Sequence, residues 1–183
     1  MEPVIVTQKA NCRNCYKCIR SCPQGAIAFS DDQARVLSEE CILCGRCVVA
    51  CPQNAKQVRN DLTEVMGAIG SGQRVIATLA PSFISEFPVS GIGEMEGYLK
   101  KLGLFAARET AEGAYIVKSE YENLIRDHKQ EVIISSCCHT VVSLIQKYHP
   151  LCIPYIAPVI SPMLASAKKI KAEYPDAYVV FIG

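Results

Sequence analysis

The stretch CRNCYKCIRSCP, at residues 12–23, returns at residues 41–52 as CILCGRCVVACP. Both copies have the spacing C-x2-C-x2-C-x3-C-P, where x is any residue. The first three cysteines of each copy are expected on a loop that wraps one face of a compact metal cluster. The fourth follows about one helical turn later and points away from that face, and the proline then ends the short helix. The repeat therefore predicts two metal sites that exchange their fourth cysteine.

This spacing is typical of bacterial ferredoxins with two 4Fe–4S cubanes. The predicted ligands of the first cubane are Cys12, Cys15, Cys18 and Cys51. The predicted ligands of the second are Cys41, Cys44, Cys47 and Cys22. Zinc is the alternative, since paired C-x2-C also binds zinc, but the doubled eight-cysteine pattern with both prolines favours iron–sulfur clusters. Two such clusters, with a protein ligand on every iron, carry single electrons and perform no bond chemistry.

Composition places the protein in a reducing compartment. Eleven of the 183 residues are cysteine, and the N-terminus lacks the basic start and apolar run of a signal peptide. Closely spaced cysteines in such a chain indicate metal ligands rather than disulfides, so we expect a cytoplasmic protein. The net charge of +1 gives no reason to expect a nucleic-acid partner. The uncharged segment 150–167 contains four prolines, so we expect no membrane span.

The chain divides into segments at 1–60, 61–72 and 73–183. In the first, AIAFSDDQARVLS predicts a hairpin that turns at Asp31–Asp32, and AKQVRN predicts a closing strand. The linker, DLTEVMGAIGSGQ, predicts a helix that ends in glycine turns at residues 70 and 72. A phosphate-binding loop is the alternative for these glycines, but no strand precedes them and no Lys-Ser/Thr follows.

Buried strands and amphipathic helices alternate after the linker, which predicts a parallel α/β sheet. The predicted strands are RVIATLA (74–80), EVIISS (131–136) and AYVVFIG (177–183). The predicted helices are GIGEMEGYLKKLG (91–103), SEYENLIRDHK (119–129), TVVSLIQKYHP (140–150) and SPMLASAKKIKAEY (161–174). The last is expected to begin with Ser161 as its cap and Pro162 as its first residue. The apolar face predicted for the first is Ile92, Met95, Tyr98, Leu99 and Leu102.

Cys137 and Cys138 lie between a predicted strand and a predicted helix, where ligands gather in parallel sheets. A thiolate at a helix N-terminus is stabilised by the helix dipole and can bind a metal or move protons. A buried structural role is the alternative for both, and it is preferred for Cys152.

The ferredoxin segment, APS (80–82), GEMEGYLKKLG, SSCC (135–138), KYHP and SPM follow one another in an order that resembles the iron-only (FeFe) hydrogenases. In that family, a two-cluster ferredoxin domain feeds a catalytic domain whose first signature loop usually reads T-S-C-C-P. The resemblance implies an α+β ferredoxin domain followed by an incomplete α/β hydrogenase catalytic domain. The implied reaction is 2H⁺ + 2e⁻ ⇌ H2, with a ferredoxin-like or other redox protein as the electron partner.

The resemblance also implies roles for the cysteine pair. Cys138 would ligate the cubane of the H-cluster, which joins a 4Fe–4S cubane to a two-iron unit, and Cys137 would pass protons to it. Glu122 matches one of two glutamates on the family's proton path, whereas Ser119 and Ala157 replace the other glutamate and a serine. Alanine cannot relay a proton, so the resemblance implies slow or differently wired turnover, closer to branches of the family assigned to sensing.

His139 stands where the family usually has proline. We interpret it as a helix-capping or carbonyl-bonding residue, and a titratable group near the site is the alternative. The chain stops at VVFIG, before the loops that bring three further H-cluster cysteines in the family, so residues 1–183 are expected to be either a fragment or the ordered front part of a longer enzyme. Three functions remain: an FeFe hydrogenase, a hydrogen or redox sensor, and a ferredoxin-type electron carrier without catalysis.

Overall fold

The computed structural model describes residues 3–127 and 131–183. The chain forms two compact units. The first consists of Met1–Asn60 and Cys138–Pro154, and the second consists of Asp61–Cys137 and Tyr155–Gly183. This division describes packing, and the sequence domains at 1–60, 61–72 and 73–183 stay a prediction.

The two cysteine motifs of the first unit carry the same elements, shifted by the 29 residues that separate Cys12 from Cys41. The elements of the first copy are β1 (Ile5–Thr7), α1 (Lys17–Ser21) and β2 (Ile27–Ser30). Those of the second are β3 (Gln33–Val36), α2 (Arg46–Ala50) and β4 (Lys56–Val58). A 3₁₀ turn at Lys9–Asn11 follows β1. The sequence repeat is therefore also a structural repeat.

Each two-stranded sheet of this unit joins one strand from each copy. β1 pairs with β4 and β2 pairs with β3, both antiparallel. Asp31 and Asp32 connect β2 to β3 with φ of 50° and 55°, the left-handed values that a two-residue hairpin turn requires. The predicted hairpin and closing strand are confirmed.

A helix that is distant in sequence completes the first unit. This helix, α7 (His139–Tyr148), matches the predicted helix at 140–150 within two residues. Lys147 Nζ donates hydrogen bonds to the carbonyl oxygens of Ser38 and Cys41 at 3.0 and 2.7 Å. Tyr148 Oη donates to the carbonyl oxygen of Glu40 at 2.7 Å. The helix therefore packs on the chain segment that leads into the second cysteine motif.

The second unit is built on a three-stranded parallel sheet, and the alternating pattern predicts a parallel sheet. Its strands are β5 (Val75–Leu79), β6 (Ala106–Glu109) and β7 (Tyr178–Ile182). They lie in the order β6–β5–β7. Every residue of central β5 is buried, which explains its continuous apolar run. Its helices are α3 (Leu62–Gly70), α4 (Phe83–Glu86), α5 (Ile92–Lys101), α6 (Ala111–Arg126) and α8 (Pro162–Glu173).

The strand predicted at 131–136 is wrong. This segment makes only an isolated bridge between Ile134 and Ile156. Its two serines bond through their side chains to Tyr121 rather than through a backbone ladder. Strand β6, which carries Arg108 and Glu109, takes the place beside β5 instead.

The helix predictions hold in most details. Ser161 Oγ accepts a hydrogen bond from Leu164 N–H at 3.3 Å and caps α8, with Pro162 at its first position, as predicted. The α5 face is correct for Met95 and Leu99, which are buried, but Tyr98 and Leu102 are exposed.

Helix α6 begins at residue 111, well before the predicted start at 119, and the predicted end at 128–129 lies outside the described residues. None of the helices formed by residues 3–127 and 131–183 has both the length and the apolar character that a membrane crossing needs.

Candidate iron–sulfur sites and the cysteine pair

Two cavities of the first unit are lined by the cysteines of the repeat. One, here called the Cys12 cavity, is lined by Cys12, Cys15, Cys18 and Cys51. The other, the Cys41 cavity, is lined by Cys22, Cys41, Cys44 and Cys47. Each cavity thus combines three cysteines of one copy with the fourth of the other. That these sulfurs bind metal stays a prediction.

The loops around the cavities adopt the same left-handed conformations in both copies. Asn14 and Leu43 have φ of 53° and 58°, and Tyr16 and Gly45 have φ of 58° and 72°. A positive φ costs energy for a residue with a side chain, leucine in particular. In both copies these left-handed residues turn the C-x2-C-x2-C loop around its cavity.

Backbone N–H groups donate hydrogen bonds to two of the cysteine sulfurs, those of Cys41 and Cys51. Leu43 N–H donates to Cys41 Sγ at 3.4 Å, and Ala55 N–H donates to Cys51 Sγ at 3.2 Å. Burial acts to raise the pKa of Cys51, but backbone hydrogen bonds, led by that of Lys56, outweigh it and lower the pKa. The donors to Cys51 favour its thiolate, which is the form that binds metal.

The donor set fits a 4Fe–4S cubane, in which each iron takes one thiolate. In the part of the chain that the structure describes, no three His, Cys, Asp or Glu side chains converge closely enough to hold a single metal ion. Each cavity is lined by four cysteines, which is the number of thiolates that a four-iron cluster takes.

One wall of the Cys12 cavity carries a buried cation. Lys56 is 2% exposed, and its Nζ donates to Thr7 Oγ1 at 2.5 Å and to the carbonyl oxygen of Ala34 at 2.6 Å. Within residues 3–127 and 131–183, no ion pair joins Lys56 to a carboxylate. Burial raises the pKa of the Cys18 thiol and of the Cys47 thiol, and the charge of Lys56 opposes both increases.

Cys138 occupies the N-cap position of α7 with an extended backbone, and its exposed side chain makes no capping hydrogen bond. Thr140 Oγ1 donates to the carbonyl oxygen of Leu43 at 3.3 Å, and Lys147 Nζ donates to that of Cys41 at 2.7 Å. These bonds hold the helix that follows Cys138 against the loop that carries Cys41.

Cys137 belongs to the second unit and is exposed beside an open cleft that Tyr121 and Pro162 also line. Tyr121 Oη accepts a hydrogen bond from Ser136 N–H at 2.9 Å and lies 3.2 Å from the Oγ atoms of Ser135 and Ser136. Cys137 N–H donates to Ser135 Oγ at 3.4 Å. Tyr121 therefore fixes the two residues that precede Cys137.

The remaining residues from the sequence analysis have local partners. His139 is exposed, and its Nε2 lies 3.2 Å from Ser143 Oγ, so its partner is a hydroxyl rather than the expected carbonyl. Glu122 is exposed and pairs with Lys118, whose hydrogen bond lowers the pKa of Glu122. The proton-path role of Glu122 stays a prediction.

Three further residues from the sequence analysis are Ser119 and Ala157, which align with the family's proton path, and Cys152. Ser119 Oγ donates back to the carbonyl oxygen of Tyr115 at 3.3 Å within α6. Ala157 is buried, and its N–H donates to the carbonyl oxygen of Ile134. Cys152 is half-buried in the 3₁₀ helix Pro150–Tyr155, so it is not the fully buried core residue that the preferred interpretation expects.

Sequence reasoning missed Lys56 and Tyr121. Lys56 could have been found, because a shift of 29 residues sets it opposite Ile27, a buried residue of the first copy. Tyr121 leaves no such signal, since its partners come from a loop after the end of α6.

Two family models match the chain. The model of the 4Fe-4S dicluster domain matches residues 4–66, and that of the iron only hydrogenase large subunit, C-terminal domain, matches residues 73–183. A similar solved structure is an [FeFe]-hydrogenase whose oxygen inactivation is initiated by modification and degradation of the H cluster 2Fe subcluster. It has a TM-score of 0.52 and 19% identity, over 67% of this chain and 38% of that chain. No curated protein matches the chain.

These matches confirm the resemblance and the fold class. A ferredoxin-like dicluster domain precedes a hydrogenase domain built on a parallel sheet. The implied cofactors are iron–sulfur clusters, while placement in a sensing branch stays a prediction. Because the hydrogenase model alone matches more than half of the residues, the chain belongs to the iron-only hydrogenase large-subunit family.

Proposed function

We propose that the first unit binds two 4Fe–4S clusters and passes single electrons. The observation that carries this proposal is the pair of cavities, each lined by three cysteines of one motif and the fourth of the other. The matched left-handed loops and the N–H donors to sulfur support it. We also propose a cytoplasmic location, because thiolate ligands persist in a reducing compartment.

Two double variants test the exchange of the fourth ligand. C12A/C51A removes ligands from one proposed cluster, so the reconstituted chain should keep about four irons. C12A/C22A removes one ligand from each cluster, so it should keep far fewer. If each motif instead held its own cluster, the two results would be reversed. Cys152→Ala is the control and should leave the iron content unchanged.

We propose further that the natural full-length protein catalyses 2H⁺ + 2e⁻ ⇌ H2, with Cys138 as one ligand of the H-cluster cubane. When it is bound, the H-cluster would supply the hydrogen chemistry. This chain's part is to hold Cys138 at the end of a helix that is bonded to the Cys41 loop. Electrons that enter from a redox partner protein then have a short covalent and hydrogen-bonded route from the Cys41 cavity to Cys138.

Cys137 is proposed to exchange protons with the site. Its side chain is exposed beside the cleft of α6, and Tyr121 fixes the preceding serines. Glu122, on the same helix, is the proposed outer proton carrier, and its hydrogen bond from Lys118 lowers its pKa. In the loaded full-length protein, Cys137→Ala should lower hydrogen turnover and keep the iron content, whereas Cys152→Ala should change neither. Unchanged turnover in Cys137→Ala would rule out the proton role.

A sensor with slow turnover is the second candidate. Ala157 favours it, because this buried position offers no hydroxyl where the family's proton path has a serine. Ala157→Ser should then raise turnover in the full-length protein, and Ala157→Gly is the control that adds no hydroxyl. Turnover that is already fast in the unmodified protein would contradict the sensor interpretation.

A further inference from the structure

The two cysteine cavities are related by the repeat, but the buried strand residues on their walls differ in charge. In the Cys41 cavity the strand residues that line the wall are Ile5, Ile27 and Val36, all apolar. Its cationic lining residue is Arg46, at the start of α2, and Arg46 is exposed. A shift of 29 residues puts Lys56 in the place of Ile27 and relates Val36 to Thr7, and both Lys56 and Thr7 line the Cys12 cavity. The strands thus present apolar side chains to the Cys41 site, and a buried lysine with a hydrogen-bonding threonine to the Cys12 site.

Lys56 is an unusual residue for such a wall. A buried ammonium group is costly unless a negative charge balances it. Its two hydrogen-bond partners, the Thr7 hydroxyl and the Ala34 carbonyl, are neutral. In the described residues no carboxylate pairs with it. The anionic groups on the same cavity are the cysteine sulfurs, so the cation fits a site that carries net negative charge.

On the basis of the function proposed above, we propose that Lys56 raises the reduction potential of the cluster in the Cys12 cavity relative to the cluster in the Cys41 cavity. Reduction adds one negative charge to a cluster that is already anionic, and a nearby fixed cation stabilises the reduced form. In a medium of effective dielectric about 20, a unit charge several ångströms away changes such an equilibrium about tenfold or more. Lys56 acts as a positioning charge and not as a ligand.

This difference in reduction potential sets the order in which the two sites hold an electron. The Cys12 cavity is the better electron acceptor, and the Cys41 cavity, whose loop is bonded to α7, is the stronger reductant next to Cys138. An electron therefore rests first at the Cys12 site and leaves through the Cys41 site.

Single-cluster variants separate the sites for measurement. C22A/C41A keeps the Cys12 site, and C12A/C51A keeps the Cys41 site. Lys56→Met is added to each variant, and the reduction potential is measured by a redox titration followed by electron paramagnetic resonance. At the Cys12 site, Lys56→Met should shift the reduction equilibrium at least tenfold toward the oxidised form, which is about 59 mV for one electron. At the Cys41 site the shift should be less than half as large.

Two further substitutions test whether the charge of the residue 56 side chain, rather than its shape, sets the reduction potential. Lys56→Arg keeps the charge and should keep the potential of the Cys12 site. Lys9→Met removes an exposed lysine of the same unit and should change neither potential. Equal shifts at both sites, or no shift at the Cys12 site, would overturn the proposal.

The intact chain provides a measurement that does not depend on the single-cluster variants. With both clusters present, Lys56→Met should move the higher-potential step more than the lower one, and movement of the lower step alone would also overturn the proposal. Iron is counted in every sample first. Fewer than the expected irons in the unmodified chain would refute the proposed function, whereas a full iron count with unchanged potentials refutes only the role of Lys56.

Discussion

Gly113, near the start of α6, marks the closest approach between α6 and α8. A Cβ added there would lie 2.1 Å from the carbonyl oxygen of Pro162 and 2.6 Å from the backbone N of Ser166. Both atoms are backbone, so no side-chain rotation can relieve the overlap. The two helices would have to separate by about an ångström to restore ordinary van der Waals distances. Gly113→Ala therefore acts on the helix whose first residue, Pro162, lines the Cys137 cleft.

Helix α8 is tied down on several sides, so the separation is costly. Ser166 Oγ lies 2.9 Å from Thr78 Oγ1, and Lys169 Nζ donates to Glu112 at 2.6 Å. Overpacking a close contact costs about 1–3 kcal/mol. Alanine recovers part of this, because glycine is up to about 1 kcal/mol worse in a helix. We expect Gly113→Ala to lower the free energy of unfolding of the second unit by about 2 kcal/mol.

The matched control is Gly97→Ala in α5. Gly97 is also inside a helix, but an added Cβ would meet nothing within 4 Å, so this variant should gain about 0.5–1 kcal/mol. Both free energies come from denaturant unfolding of the anaerobically reconstituted chain, followed by far-ultraviolet circular dichroism. Gly113→Ala should leave the iron content unchanged, because its unit carries no repeat cysteine. Stability equal to that of the unmodified chain would refute the close-packing argument.

Three other substitutions test hydrogen bonds and an ion pair within the second unit. Thr78→Val removes a buried hydroxyl that bridges to Ser166, and it should cost about 1–3 kcal/mol in a denaturant titration. Glu112→Gln breaks the ion pair with Arg108, which lowers the pKa of Glu112 to about 2, and it should cost about 2 kcal/mol at pH 7. Because the native pKa is lowered, this loss should shrink as the pH falls from about 4.5 towards 2. Tyr121→Phe removes the acceptor of the Ser136 amide, whose hydrogen exchange should become about tenfold faster.

Exposed residues of the same types supply the controls. Thr63→Val, Glu120→Gln and Tyr115→Phe should each change stability by less than about 0.5 kcal/mol. A Thr78→Val variant as stable as Thr63→Val would mean that the hydroxyl bridge contributes nothing. A Glu112→Gln loss that stays constant down to pH 2 would contradict the lowered pKa.

Local patterns predicted much of the fold. The hairpin at Asp31–Asp32, the cap at Ser161 and the buried strand β5 each depend on residues adjacent in sequence, so the chain itself specifies them. The grouping of cysteines around two cavities also follows from the spacing, since the fourth cysteine of each motif is carried away from the first three by a short helix.

Features that depend on distant partners were not predictable. The run EVIISS has strand composition, but Tyr121 withdraws its serines from any backbone ladder. Strand β6 was missed because Arg108 is charged, and that charge is accommodated only because Glu112 and Glu173 come from two different helices. The position of Lys56 could have been noticed by aligning the two copies, but its burial against Thr7 and the Ala34 carbonyl depends on residues that are distant in sequence.

The iron and acid-labile sulfide content of the unmodified, anaerobically reconstituted chain tests the central claim most directly. Two interleaved cysteine sets predict about eight irons and eight sulfides per chain, four of each for every cubane. Electron paramagnetic resonance of the reduced chain should then show two interacting clusters. About four irons, or a small number of zinc ions without sulfide, would contradict the account.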